Sequence, residues 1–188
     1  MSGETGLATH TADPDDLSML RARFGDGGDP LGWERVRDFE HGHAVVLPEP
    51  YRTFAAEISD GSPEGPPDYG LLGLGQLPAD WGADRPRRLL AEPFPLTEAW
   101  IWEDEARPEA EWEEQLDAVY DHGSLVLGTD GCGMYWHLIV TGPHRGHIWS
   151  ITGEGATPFG TSFGSTTGQP GFAGWVRHWT QHKEWWDA

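Results

Sequence analysis

The chain has 188 residues and a formal net charge of −19, from 12 Lys plus Arg against 31 Asp plus Glu; 37% of its residues are apolar and eleven are tryptophan. That length suits one domain whose core leans on large aromatic rings, and that charge repels phosphate backbones, which argues against direct nucleic-acid binding. Cys132 is the only cysteine, no apolar run approaches the ~20 residues of a membrane helix, and MSGETGLATHTADPDD lacks the basic and apolar regions of a signal peptide, so a cytoplasmic protein without disulfides or membrane association is expected.

Residues 1–30 read as a polar, partly disordered N-terminal segment with a short helix from Asp15 to Phe24, and residues 31–188 as a single α+β domain. Trp33 to Phe39 is too short a pattern to assign. In LPEPYRTFAAEISDG, Tyr51, Phe54, Ala55 and Ile58 fall at i, i+3, i+4 and i+7, one face of a helix, with Pro48 and Pro50 at its start and Asp60-Gly61 as a left-handed stop. The turn Gly65-Pro66-Pro67-Asp68-Tyr69-Gly70 then feeds Leu71-Leu72-Gly73-Leu74, which reads as a buried strand.

Prolines at 78, 86, 93 and 95 make 75–97 irregular, and Glu98–Trp102 reads as a strand. Trp112, Leu116, Val119 and Tyr120 predict a helix over Glu109–Asp121, with Glu111, Glu114 and Asp117 on its opposite face. Ser124–Leu127 reads as a strand and Thr129–Gly133 as a turn. Met134–Thr141 and His147–Thr152 read as antiparallel strands of a mostly antiparallel or mixed sheet. Five glycines between Gly155 and Gly171 predict a long flexible loop. Phe172, Trp175, Val176 and Trp179 predict a closing helix.

Chemistry-bearing motifs are few. Gly160-Thr161-Ser162-Phe163-Gly164 matches G-x-S-x-G, but a nucleophile elbow needs a strand before the serine and a helix after it, and Pro158 and a Gly/Pro-rich run stand there instead. His178 and His182 have i, i+4 spacing without the glutamate of a metalloprotease helix; His41, His43, His137, His144 and His147 are further conceivable ligands. Cys132 lies in a Gly-flanked turn that a hairpin explains as well as catalysis does. No cofactor motif occurs. The densest charge is Glu103–Asp117, eight acids against Arg107 alone. Its default reading is a solvated helix face. The sharper one is a docking surface for a basic protein, for which Trp100, Trp102, Trp185 and Trp186 are candidate aromatic anchors.

LPEPYRTFAAEISDG followed by GPPDYGLLGL resembles the SUKH superfamily (the Smi/Knr-type domain). So does GSLVLGTDGCGMYWHLIVTGPHRGHIWSI, with its Gly-Cys-Gly turn, long apolar strand, Gly-Pro-x-x-Gly and Trp149, and so does the closing Phe172, Trp175 and Trp179 helix. The resemblance spans about residues 40 to 182; the extra proline of Gly65-Pro66-Pro67 and the long proline-rich 75–108 depart from the simplest pattern. It implies an α+β domain without catalysis. Bacterial members are immunity proteins that neutralise toxins, often nucleases, and the eukaryotic namesake is an interaction hub. The expectation is therefore a non-catalytic protein-binding module whose partner is a basic toxin domain, bound through Glu103, Asp104, Glu105, Glu111, Glu114 and Asp117. A scaffold unrelated to toxins, and a hydrolase using Ser162 or a histidine-bound metal, are the alternatives.

Overall fold

The computed structural model describes residues 11–26, 28–82, 88–160 and 169–182. Three helices come first: α1 (Pro14–Phe24), α2 (Trp33–His43) and α3 (Tyr51–Glu57). Asp13 caps α1 by accepting from the Asp15 amide at 2.8 Å, Pro14 takes a position that needs no N–H, and Asp15 and Asp16 oppose Arg21 and Arg23 along the dipole. The helix was expected from Asp15, and Leu20 and Phe24 are its buried residues. α2 ends where Ala44 turns left-handed at φ 53°. Its only buried residues are Val36 and Glu40. α3 buries Tyr51, Phe54 and Ala55 as its spacing predicts, and Gly61 (φ 85°) supplies the left-handed turn beyond it.

Five strands, β1 (Trp100–Ile101), β2 (Ser124–Gly131), β3 (Met134–Ile139), β4 (Ile148–Ile151) and β5 (Gly155–Pro158), form one antiparallel sheet in the order β1-β5-β4-β3-β2. Between β1 and β2 lie two 3₁₀ turns, Trp102–Asp104 and Glu109–Glu111, and α4 (Glu113–Asp121); α5 (Phe172–Thr180) closes the chain. Strand alternation divides the core. Trp136, Leu138 and Val140 pack with residues of α1, α2, α3 and α5. Tyr135 and Ile139 pack on the other face with Val119 and Tyr120 of α4 and with Trp81, Phe94, Leu96 and Trp102.

Five local expectations are corrected. Leu71–Leu74 is not a strand of the sheet: Leu71 makes a single bridge to Ser62, and the Leu72 amide donates to Leu127 O at 2.7 Å. Positive-φ glycines at 70 and 75 stop the segment from running on as a ladder. The supposed loop from Gly155 contains β5, whose register sets Ala156 opposite Ile151 on one side and Trp100 on the other. β1 has only two residues because the chain enters a 3₁₀ turn at Trp102. The Glu109–Asp121 helix is broken at Trp112 (φ −128°, ψ −1°), so a 3₁₀ turn precedes α4. In addition, β2 runs on to Gly131 through two bulges, which leaves Cys132 and Gly133 as the turn.

Candidate functional site: an acidic surface over an aromatic wall

Glu103 and Asp104 project from the 3₁₀ turn after β1, and the Glu103 amide donates to Glu154 O at 3.1 Å, tying this corner to the β4–β5 turn. Glu114 and Asp117 stand three residues apart on α4, and Glu111 ends the turn before it; all three are exposed. Among the described residues, none of these five acids has an ion-pair partner within 4.0 Å. Glu105 differs. It accepts from Arg107 Nη2 at 2.7 Å, from the Arg107 amide at 3.2 Å and from Trp100 Nε1 at 3.2 Å. The Arg107 guanidinium and amide hold its carboxyl down at about 2. Glu105 is thus occupied within the protein and belongs to the scaffold of the surface.

Beneath the acids lies a wall of rings. Trp100 meets Trp102 at 5.3 Å and Trp112 at 5.9 Å between centroids, and Trp102 leads through Tyr120 to Trp81 and Tyr135. Trp102 is buried and donates through Nε1 to Gly153 O at 2.6 Å, while Trp112 Nε1 donates to Arg107 O at 3.1 Å. Trp102 therefore fixes the corner from inside, whereas Trp100 is half-buried with its indole N–H donated to Glu105. Trp185 and Trp186 lie outside the described residues.

The remaining motifs are not brought together. Ser162 lies outside the described residues. His178 is buried against Phe159, whereas His182 lies past the end of α5 in a left-handed conformation (φ 54°) and is exposed, so the two imidazoles share no helical face. Among the described residues no group of three or more His, Cys, Asp or Glu gathers as metal ligands would. Cys132 is an exposed turn residue.

Two arrangements escape a sequence reading. Ser124 Oγ lies 2.9 Å from His137 Nδ1, resembling a nucleophile and base, but both residues are 0% exposed and Arg88 Nη2 donates to the same hydroxyl at 3.0 Å. Substrate has no approach to that pair, so the contact is part of a buried core network. Only the strand register, unknown beforehand, brings them together. A cleft of about 620 Å³ also opens between the end of α2 and the end of β3, lined by Glu40, Val45, Val46, Ala91, Val140 and Arg145. Its two charged groups have internal roles: Glu40 pairs with Arg52, and Arg145 Nη2 donates to Val46 O at 2.8 Å.

These features define an α+β domain with one antiparallel sheet packed on both faces and an acidic rim left open to solvent. Residues 31–165 match the model of the SMI1 / KNR4 family (SUKH-1), and the chain belongs to that family. The matched span stops short of α1 and α5, which lie against each other through an Arg177–Asp16 ion pair of 2.7 Å. No curated protein and no solved structure matches the chain. Among the described residues no helix is long and apolar enough to cross a membrane.

Proposed function

We propose that this protein is a non-catalytic binding module, a bacterial immunity protein that captures and neutralises a basic toxin domain in the cytoplasm. The observation that carries the reading is the set of unpaired acids Glu103, Asp104, Glu111, Glu114 and Asp117 on a domain of this family. A cationic nuclease cleft would be steered toward such a field and capped by an interface of about 800 Å² per partner. The non-catalytic part of the reading is supported by the burial of the Ser124–His137 pair, since a nucleophile must be reached to act.

Co-expression with the toxin domain encoded beside this chain's gene is the test. Restored growth and a purified complex are expected. In binding kinetics, Glu111→Lys, Glu114→Lys and Asp117→Lys together should slow association about tenfold at low salt, with the difference shrinking as salt rises. Unrelieved toxicity with no complex would refute the reading.

A further inference from the structure

Around the acids, Trp102 is buried, and the half-buried Trp100 and Trp112 already donate their indole N–H groups within the protein. Among the described residues, the most exposed large apolar side chain lies elsewhere on the same rim. Tyr69 is 74% exposed, and Met134 at the start of β3 is 39% exposed. Tyr69 does not ride on a loose loop. Its amide donates to Thr129 O at 3.3 Å, the Asp68 amide to Asp130 Oδ1 at 3.0 Å, and the Gly70 amide to Pro67 O at 2.9 Å. The flanking Pro66, Pro67 and Gly70 are all buried. Gly128 lets Pro67 close onto β2, and Gly131 leaves room beneath the Tyr69 ring, where a Cβ would come within 3.0 Å of Cε2. A fixed backbone thus pushes one large ring into solvent. With its backbone already fixed, such a ring has only its two side-chain torsions left to order on binding.

The topology sets this ring beside the acids. The β2–β3 turn, the β4–β5 turn and the exit from β1 all lie at one end of the sheet, because Gly131 faces Met134, Tyr135 faces Ile151, and Ile101 faces Gly155. Four strand spacings separate β1 from β2, so about 19 Å lies between the Glu103 corner and the hairpin. Glu154 is exposed between them, Asp68 adjoins the ring, and Asp80, whose carbonyl accepts from the Tyr135 hydroxyl at 3.0 Å, lies at the same end. An apolar centre with a charged rim is how protein interfaces are built, and about 19 Å fits within one of standard size.

We infer that this end of the sheet is the docking surface, with Tyr69 as its anchor and Met134 beside it, and that it takes a protein bearing an apolar pocket ringed by lysine and arginine. The inference rests on the proposed function and deepens it by moving the centre of the interface from the α4 face to the β2–β3 end.

The test measures binding of the full chain to the catalytically inactivated basic toxin domain encoded beside it. Tyr69→Ala should weaken affinity about 30-fold, mainly through faster dissociation and with little salt dependence. Met134→Lys, a second variant at an exposed position, should weaken it at least tenfold. Both variants should keep the wild-type unfolding midpoint, since neither side chain is buried. If the wild type binds and both variants stay within tenfold of it, this inference falls while the proposed function stands. If the wild type does not bind, both fall. A wild-type dimer in sedimentation that Tyr69→Ala dissolves would assign the surface to a second copy of this chain and overturn the inference.

Discussion

Glu40 is the group on which the join between the first helices and the rest of the domain depends. It is 7% exposed, in the last turn of α2. One carboxylate oxygen accepts from the Leu47 amide at 2.8 Å and from Arg52 Nε at 2.7 Å, and the other from Arg52 Nη2 at 2.9 Å. It therefore fixes the Leu47–Pro50 bend and the first turn of α3 at once. Glu40→Ala leaves a buried amide unpaired, a cost of about 1–3 kcal/mol. It also strands Arg52, whose side chain keeps 21% exposure and so recovers part of its solvation. That places the total near the low end of the ~3–5 kcal/mol seen when a buried pair is broken, at about 3 kcal/mol. With a urea m-value of about 2 kcal/mol/M, the midpoint should fall by about 1.5 M. Equilibrium unfolding followed by tryptophan fluorescence reads this directly. Glu40→Gln keeps one acceptor oxygen and should lose only about 1–2 kcal/mol, and a double-mutant cycle with Arg52→Gln should return about 1 kcal/mol or more of coupling. A loss below about 1 kcal/mol for Glu40→Ala, or a coupling near zero, would refute this account of how α2 and α3 are joined.

Gly128→Ala should destabilise by about 1–3 kcal/mol, because its Cβ would lie 2.5 Å from Pro67 Cδ and Cγ and 2.6 Å from Gly70 O; a lowered thermal midpoint with weakened binding through the displaced Tyr69 is the expected pair of readouts. Glu105 should titrate near 2 by carboxyl NMR, and Arg107→Gln should return it to the ordinary carboxylate range. His147 is held below its usual 6.5 by burial and then by the neighbouring His144. The unfolded chain takes up that proton first as pH falls, so the contribution of His147 is present above about pH 6.5 and declines below it. Urea midpoints measured between pH 7.5 and 5 should therefore fall, and His147→Gln should flatten that slope.

Elements whose burial follows one simple period were legible in the sequence. α3, α5, β3 and β4 each place their apolar residues at regular spacing, and those residues form the core. α2 escaped because it turns only Val36 and Glu40 inward, and a glutamate that owes its burial to Arg52, twelve residues on, looks like a surface residue. The second face of the sheet escaped for a different reason. Trp81, Phe94 and Leu96 reach it from irregular chain, where no period exists to be read. At the candidate site, the acids of α4 were visible as charge, but whether a tryptophan faced in or out was not. Trp102 turned inward because its indole finds Gly153 O, 51 residues away. Tyr69 stood out only once Pro67 and Gly128 were seen to brace it, which is a contact between distant segments.

Both margins of the sheet are blunted. On β2, the Tyr69 and Leu72 amides already occupy the carbonyls of Thr129 and Leu127, and on the far side β1 offers two residues before the backbone curls at Trp102. A foreign strand would find little main chain left to zip onto at either margin, so the sheet resists growing into fibres or lengthening through a neighbour. With strand addition closed off, side chains are what the sheet presents at its surface, and substitution can change them one at a time while the ladder beneath them stays still.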